Sequence, residues 1–172
     1  MALRTEENCA MLAEARSLIT VQETSYTRSG GGIRSSWPER SAMDAATLAG
    51  FLERKRYAIL ATVRPDGRPQ AAPVAFHVRD GAFWIATVEG ARVRNLRASP
   101  HAALVISEGE RGSHRAVRVE GSVVLHEGDD LDAVRKRLDV EWEKRQGKPP
   151  DWAAAFIELR PESLYSYDSA SS

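Results

Sequence analysis

The chain has 172 residues with 24 basic and 24 acidic side chains, and 42% of its residues are hydrophobic. This size supports one ordinary domain with a core, and no apolar run reaches the roughly 18 residues that a membrane span requires. Because the net charge is zero, no overall field favours nucleic acid or an anionic membrane, and any anion-binding site has to be local.

The first 42 residues differ in composition from the rest of the chain. One weakly amphipathic patch leads into SYTRSGGGIRSSWPERS, a stretch that buries too little apolar surface to offset its ordering entropy. The sequence therefore predicts a flexible extension over 1–42, a folded domain over 43–168 and a disordered tail over 169–172. Because Met43 opens the regular part, the extension could lie upstream of the natural start.

The N-terminal sequence and the cysteine content bear on the cellular compartment. Glu6, Glu7 and Glu14 fall where a signal peptide would need its apolar core. Cys9 is the single cysteine, which excludes an internal disulfide and fits a reducing compartment. We therefore expect a cytoplasmic, soluble protein with no membrane partner.

The regular part of the chain begins with a helix and continues as short strands. Asp44 is placed to cap a helix that runs to Arg54. Pro73 predicts a strand at a sheet edge or a bulge, and Gly121 predicts a β-bulge. Apolar runs separated by turn sequences rich in Gly, Pro and Asp predict these strands: Tyr57–Val63, Gln70–Val78, Ala82–Thr87, His101–Ser107, Ala116–Leu125, Ala154–Leu159 and Leu164–Tyr167.

Two further helices complete the predicted fold. A short one ends before Pro100, and a long one covers Asp129–Gln146 and is stopped by Gly147 and the prolines after it. The sequence EGERGS at 108–113 predicts a loop. Six or seven short strands with two or three helices indicate a mainly β (α+β) fold, built as a small antiparallel barrel. The apolar stripe of the long helix consists of Leu131, Val134, Leu138 and Trp142.

Motifs with a known catalytic mechanism are missing from the sequence. It contains no Gly-rich phosphate loop, no GxSxG and no HExxH. Trp84 and Trp152 each sit in an apolar pattern, and we expect them in the core or an interface. The histidines are far apart and lack ligand spacing, so we predict no metal site and assign no catalytic residue. They are His77, His101, His114 and His126.

The stretch ATVEGARVRNLRASP at 86–100 gathers three arginines in a chain without net charge. Gly90 lets the backbone pass close to a ligand, the following helix begins with unpaired N–H groups, and arginine suits phosphate. Arg94 and Arg97 lie about 60° apart on an ideal helix. On that helix Arg92 would point elsewhere, so Arg92 is expected to project toward an anion from the loop before the first turn, with Arg94 or Arg97 in support. A solvated basic face on a short helix explains the same residues.

The order of four segments resembles a known family. YAILATVRPDGRPQAAPVAF, DGAFWIAT, ARVRNLRASPHAALVI and VRVEGSVVL follow each other as in the FMN-binding split-barrel superfamily, also called the pyridoxamine 5′-phosphate oxidase-like family. The resemblance covers about Leu48 to Leu164 and is greatest to the branch of deazaflavin-dependent oxidoreductases. Its most specific part is a cation three residues before Asn95-Leu96, followed by an Arg and a Pro.

The resemblance implies a split barrel that forms a homodimer with two cofactor sites at the subunit interface. It also implies that the cofactor carries the hydride chemistry while the protein supplies position and electrostatics. By position, the residues implied for the cofactor phosphate are Thr87, Arg92, Arg94 and Asn95. Those implied for the ring system are Ala72, Pro73, Val74 and Ala75.

Two departures from the family pattern bear on the cofactor. Oxidases of pyridoxamine phosphate resemble one another in an Arg and a Lys that bind the FMN phosphate, where this chain has Ala71 and Phe76. Its C-terminus also lacks their Arg-rich, Trp-containing segment. Both departures argue against vitamin B6 oxidation, and the loss of the two cations, with the loop pattern that remains, favours the deazaflavin coenzyme F420 over FMN.

The sequence thus leads to one main functional hypothesis and three alternatives. The main hypothesis is a homodimeric oxidoreductase that uses F420 to reduce a small unsaturated or quinone-like molecule. The alternatives are an FMN-binding oxidoreductase, a flavin- or F420-binding module without turnover, and a nucleic-acid-binding barrel. Balanced charge and the lack of interleaved surface aromatics argue against nucleic acid.

Overall fold

A computed structural model describes residues 2–110, 113–146 and 150–171, and the side chains of 9–110, 113–138 and 150–170. The helices in these ranges are α1 (Ala2–Arg28), α2 (Gly31–Ser36), α3 (Ala45–Arg54), α4 (Ala91–Ala98) and α5 (Leu131–Gln146). The strands are β1 (Tyr57–Val63), β2 (Pro69–Ala75), β3 (His77–Arg79), β4 (Ala82–Thr87), β5 (His101–Glu110), β6 (Ser113–Glu127) and β7 (Ala155–Asp168).

The seven strands form one antiparallel sheet in the order β2-β1-β5-β6-β7-β4-β3. Its two edge strands, β2 and β3, are consecutive in the chain and are separated by Phe76 alone. Phe76 is buried and packs against Phe83, with ring centroids 5.9 Å apart. Because one stretch of chain joins both edges, the sheet curls into a split barrel, which confirms the predicted α+β fold class.

Several local predictions are confirmed by the backbone. Asp44 caps α3 and accepts a hydrogen bond from the Thr47 N–H at 2.7 Å, which holds the pKa of Asp44 below its usual value. Pro73 lies in an edge strand, where its missing N–H costs no ladder hydrogen bond. The register of β6 against β7 shifts between Glu120 and Gly121, so Gly121 marks a bulge as predicted.

Several predicted boundaries are wrong, and the predicted strand Gln70–Val78 is divided at Phe76 into β2 and β3. The expected loop at 108–113 belongs mostly to a hairpin, since β5 runs to Glu110 and β6 starts at Ser113. The ion pair between Arg115 and Glu108, at 3.8 Å, shows how charged residues are accommodated on this exposed ribbon. The two predicted C-terminal strands form one, β7, whose expected break coincides with the bulge opposite Gly121.

The long helix begins slightly later than predicted, because Gly128–Asp130 form a 3-10 turn before it. Its buried stripe includes Val134 and Leu138. The side chain of Trp142 and the predicted stop at 147–149 lie outside the described residues. None of the helices in the described part of the chain is long and apolar enough to cross a membrane.

The composition predicts a flexible extension over 1–42, but the described part of this segment packs on the rest of the fold. Met11, Ala15 and Leu18 of α1 are buried in the main core. Glu14 accepts hydrogen bonds from the backbone N–H groups of Asp80 and Gly81 at 2.8 and 2.7 Å, which ties α1 to the β3–β4 turn. The helix is therefore an integral part of the fold.

The buried side of α1 is partly polar, and this explains why its composition is misleading. Gln22 donates to the Met43 carbonyl at 3.0 Å, and Ser25 Oγ accepts from the Leu164 N–H at 2.9 Å. The Tyr26 hydroxyl donates to the carbonyl of Ser166 at 3.2 Å. These hydrogen bonds allow polar residues to be buried without the desolvation penalty of an unpaired group.

The C-terminal residues are also better ordered than predicted. Ser169–Ser171 form a 3-10 turn, and Ser169 Oγ accepts a hydrogen bond from the His114 N–H at 2.8 Å. Asp168 Oδ1 accepts from the Ala170 N–H at 2.9 Å. The expected disordered tail is therefore corrected over 169–171.

The core consists of two clusters on opposite faces of the sheet. The main cluster fills the barrel and extends to α1 and α3. The second lies between α5 and the outer side of β4 and β7, with Trp84 and Phe156 at its centre. Trp84 is thus a core residue as expected, whereas Trp152 is 58% exposed and is not.

Candidate functional site

A cavity of about 180 Å³ opens where β1, β2 and β4 meet the start of α4. We call it the Arg92 cavity. Three of the predicted site residues line it, namely Thr87, Arg92 and Ala72. Its other lining residues are Leu60, Thr62, Gln70, Val88, Gly90 and Ala91.

Arg92 and Thr87 form the polar centre of this cavity. Arg92 is the second residue of α4 and does not lie in the preceding loop, where the helix angles predict it. It is half-buried, and its Nη1 donates to Thr87 Oγ1 at 2.9 Å. Burial lowers the pKa of Arg92, but a guanidinium stays charged at neutral pH. Among the described residues, no carboxylate lies within 4 Å of this guanidinium. A half-buried cation without a counter-charge is unfavourable, so the site is complementary to an anion.

The start of α4 adds backbone donors to this charge. Gly90 precedes the helix in an extended conformation and provides no side-chain cap. The first intrahelical bond runs from the Arg94 N–H to the Gly90 carbonyl at 3.1 Å. The N–H groups of Ala91, Arg92 and Val93 therefore have no intrahelical acceptor. Together with the Arg92 side chain they form an arrangement suited to phosphate.

Asn95 has a different place from the one the resemblance implies. It is buried and does not line the Arg92 cavity. Its Nδ2 donates to Thr62 Oγ1 at 3.0 Å and to Gln70 Oε1 at 2.8 Å. Because Thr62 and Gln70 face each other across β1 and β2, Asn95 anchors α4 to both strands. The structure thus gives Asn95 a positioning role for Arg92.

The other two arginines lie outside the cavity. Arg97 donates to Glu89 at 3.0 and 2.9 Å and also to Glu127, and these hydrogen bonds raise its pKa. The expectation that Arg97 supports the anion is therefore wrong, because its charge is already compensated. Arg94 is exposed on α4 and does not line the cavity. The angular spacing of the arginines on an ideal helix could not indicate that Arg97 is hydrogen-bonded to two carboxylates.

The four residues implied for a ring system divide between two faces of β2. Ala72 lines the cavity, and Val74 is buried in the main core. Pro73 and Ala75 lie on the outward face of the sheet. Alternation along an extended strand requires this division. The structure brings only Ala72 of this group next to Arg92.

The sequence reasoning missed several lining residues, including Leu60, Thr62 and Gln70. The signal was present, because alternation in YAILATV places Leu60 and Thr62 on one face of β1. Gln70 is the register partner of Thr62 and follows from the hairpin. Within the described residues, no group of three or more His, Cys, Asp or Glu side chains could hold a metal ion.

Comparison with known proteins places the chain in a family. A family model described as Pyridoxamine 5'-phosphate oxidase matches residues 45–168, which cover all seven strands and the last three of the five helices. The chain belongs to this family. A pyridoxine/pyridoxamine 5'-phosphate oxidase from Rubrobacter xylanophilus is 35% identical over 115 residues, which are 63% of this chain. The match spans 52% of that relative, about half its length.

The match of the family model leaves out α1 and α2, so of the helices it contains α3, α4 and α5. It also contains every residue that lines the Arg92 cavity. The cavity is therefore part of the family domain, whereas α1 is packed onto that domain from outside the matched region.

Solved structures show the same fold at low sequence identity. The conserved hypothetical protein Rv2991 from Mycobacterium tuberculosis aligns with a TM-score of 0.67 and 23% identity, over 78% of this chain and 91% of that one. The heme storage protein HutZ from Vibrio cholerae aligns at 0.59 and 18%, over 69% and 90%. A FAD-binding protein from Mesorhizobium loti aligns at 0.56 and 18%, over 74% and 96%. These similarities support the split-barrel fold.

Proposed function

We propose that this chain is an oxidoreductase that binds a flavin-type cofactor by its phosphate, with coenzyme F420 as the first choice. The observation that carries this proposal is the half-buried Arg92, bonded to Thr87 at a helix start without a carboxylate partner among the described residues. When bound, such a cofactor supplies hydride transfer, here to a small unsaturated or quinone-like molecule. The chain's own residues bind and orient it.

The size and lining of the Arg92 cavity fit the phosphate end of such a cofactor. About 150 Å³ is enough for a benzene-sized group, so a cavity of about 180 Å³ is too small for a whole flavin. Arg92 and the first N–H groups of α4 would hold the phosphate, and Thr87 fixes the position of Arg92. The small side chain of Ala72 leaves the cavity open beside the edge strand β2.

The choice of F420 over FMN rests on the lack of a cation on β2 that is directed toward the Arg92 cavity. Ala71 is exposed on the outward face, and Phe76 is buried at the corner between β2 and β3. Neither position provides a cation toward the cavity, and Gln70, which does line it, is neutral. FMN is the alternative cofactor, since the phosphate donors of α4 could serve both molecules. The relative named as FAD-binding supports a flavin-type ligand in general.

Arg92→Ala tests the proposed cofactor site. Loss of one charge-assisted phosphate contact is expected to cost about 1.5–3 kcal/mol, or roughly a 10- to 100-fold loss of affinity. F420 and FMN are titrated separately into the protein, and binding is followed by the change in cofactor fluorescence. Arg94→Ala is the matched control, because Arg94 is an exposed residue of the same helix outside the cavity lining. Unchanged affinity of Arg92→Ala for both cofactors would falsify the assignment.

A binding module without turnover is the second candidate function. It is favoured by one observation, namely that Arg92 is the sole titratable side chain among the described residues that line the cavity. Steady-state reduction of a quinone acceptor by the protein loaded with reduced cofactor distinguishes the two functions. Turnover supports the oxidoreductase, and tight binding without turnover supports the module.

We also propose that the chain forms a homodimer through the outward face of β1, β2 and β5. This face exposes an unusual number of large apolar side chains for a sheet in water. Ile59 lies opposite Val105 and Pro73 in the register, so the apolar residues are contiguous. A second copy of this chain is the occupant that the family resemblance implies. The exposed fractions are 69% for Tyr57, 47% for Ile59, 44% for Val63 and 37% for Val105.

Ile59→Asp is expected to convert this dimer to monomer. A carboxylate in an apolar interface loses its hydration without gaining a partner, which is strongly unfavourable. The mass in solution is measured by light scattering coupled to size-exclusion chromatography. Thr20→Asp places the same group on an exposed position of α1 and is expected to leave the dimer intact. A wild-type protein that is monomeric at high concentration contradicts the proposal.

A further inference from the structure

A second cavity, of about 320 Å³, shares no lining residue with the Arg92 cavity. It lies where the segment after α2 packs beside β6 and β7, and we call it the Trp37 cavity. Ala116 and Tyr167, which form its floor, are register partners in these two strands. The remaining lining residues are Ser35, Ser36, Trp37, Pro38 and His114. None of these positions has a part in the proposed cofactor site.

The lining of the Trp37 cavity is rich in rings. Trp37, His114 and Tyr167 contribute aromatic surfaces, and Pro38 adds a further apolar ring. The rings of His114 and Tyr167 contact each other with centroids 5.7 Å apart. Aromatic surfaces that converge on one space favour a flat ligand that stacks or packs edge to face against them. A cavity about twice the 150 Å³ that holds benzene suits two or three fused rings.

The polar groups of the cavity indicate which flat ligand fits. Within the described part of the chain, the Trp37 indole N–H, the Tyr167 hydroxyl and the His114 imidazole form no hydrogen bond. The Ser35 hydroxyl, in contrast, donates to the Gly32 carbonyl at 2.8 Å. Each of these three groups can donate a hydrogen bond, and the indole N–H can only donate, which suits carbonyl oxygens on the ligand. Among the described residues that line the cavity there is no Lys, Arg, Asp or Glu, which favours a ligand without a full charge.

We propose that the Trp37 cavity binds a neutral, planar molecule of two or three fused rings that bears carbonyl groups. Trp37 supplies the main stacking surface, and the Tyr167 hydroxyl supplies a hydrogen bond to a carbonyl. This site does not depend on the cofactor assignment, because Arg92 and Thr87 take no part in it.

Lumichrome is a suitable probe, since it has three fused rings and two carbonyl groups but no phosphate. It is titrated into the full-length protein, and binding is followed by its fluorescence anisotropy. Trp37→Ala is expected to weaken binding about tenfold or more, as loss of one aromatic stacking partner does in other sites. Tyr167→Phe keeps the ring and removes the hydroxyl, so a loss of about three- to tenfold is expected. Thermal unfolding of each variant checks that the fold is retained.

Arg92→Ala is the control, and it is expected to bind lumichrome like the wild type. This variant also separates the two proposals, because its loss of F420 or FMN binding would leave the Trp37 cavity unaffected. Three results overturn the inference: no binding by the wild type, wild-type affinity in both Trp37→Ala and Tyr167→Phe, or a loss of binding in Arg92→Ala alone. A Trp37→Ala variant that binds normally but changes its oligomeric state would show that a second copy covers the cavity instead.

Discussion

Replacement of Gly121 by Ala is expected to destabilise the protein by about 3 kcal/mol or more. A Cβ at this position would lie 1.9 Å from the carbonyl oxygen of Arg160 and 3.0 Å from the backbone nitrogen of Glu162. Both contacts are with backbone atoms of β7, which cannot move aside as a flexible side chain can. The bulge that joins β6 to β7 would therefore have to rearrange. Chemical denaturation of both proteins measures the difference in free energy of unfolding.

Gly50→Ala is the matched control for this prediction. Gly50 lies inside α3, and a Cβ there would meet only the guanidinium end of Arg54, at 3.4 Å. Because Ala has a higher helix propensity than Gly, this change is expected to stabilise the protein by up to about 1 kcal/mol. Both substitutions replace Gly by Ala, and their effects on the free energy of unfolding are expected to have opposite signs. Equal changes in the free energy of unfolding would mean that the close approach of β7 to Gly121 does not require a glycine.

Leu18→Ala is expected to cost about 3–5 kcal/mol of stability, the second large effect. The Leu18 side chain is fully buried in the main core, between α1 and the barrel. Its truncation removes buried apolar surface and leaves a cavity that the surrounding side chains fill only in part. Thermal or urea unfolding of the wild type and the variant measures the change in free energy of unfolding. If residues 1–42 were a flexible extension, the same substitution would leave the free energy of unfolding unchanged.

Arg16→Ala serves as the control on the same helix. Arg16 is exposed, and its replacement is expected to change stability by no more than about 0.5 kcal/mol. A large effect at Arg16 would point to a change in the helix as a whole. Only a difference between the two positions demonstrates that one face of α1 is packed.

Local signals in the sequence were sufficient for most of the barrel. Alternation in β1, the cap at Asp44 and the bulge at Gly121 are each determined by a few neighbouring residues, and each is confirmed. The helix α1 was not predicted, because Gln22 and Ser25 fill buried positions that a pattern search expects to be apolar. Gln22 accepts a hydrogen bond from Ser166, and Ser25 accepts one from Leu164; these partners lie about 140 residues away, where no local pattern can indicate them.

In the candidate site, too, the features set by neighbouring residues were predicted, and those that depend on distant residues were not. The sequence predicted that Arg92 points toward an anion, since a strand end, a glycine and a helix start are consecutive. It could not separate Arg92 from Arg97, because Glu127, one of the two carboxylates that bind Arg97, is 30 residues further along the chain. The family resemblance implies that Asn95 lies at the phosphate, whereas in the structure Asn95 forms the hydrogen bonds that link α4 to β1 and β2. Hydrogen bonds to residues distant in the sequence therefore decide which polar side chain remains available to bind an anion.

The packing of α1 on β7 has a consequence for the order of folding during synthesis. Tyr26 is hydrogen-bonded to Ser166, 140 residues later in the chain. At about 5–20 residues per second, a ribosome needs roughly 7–28 s to add those residues. We expect α1 to be made before β7 and to complete its docking only after β7, so the nascent chain carries Tyr26 and Ser25 without their β7 partners for that time. The polar groups of Gln22 and Ser25 on its packing side would then reduce aggregation before β7 is made.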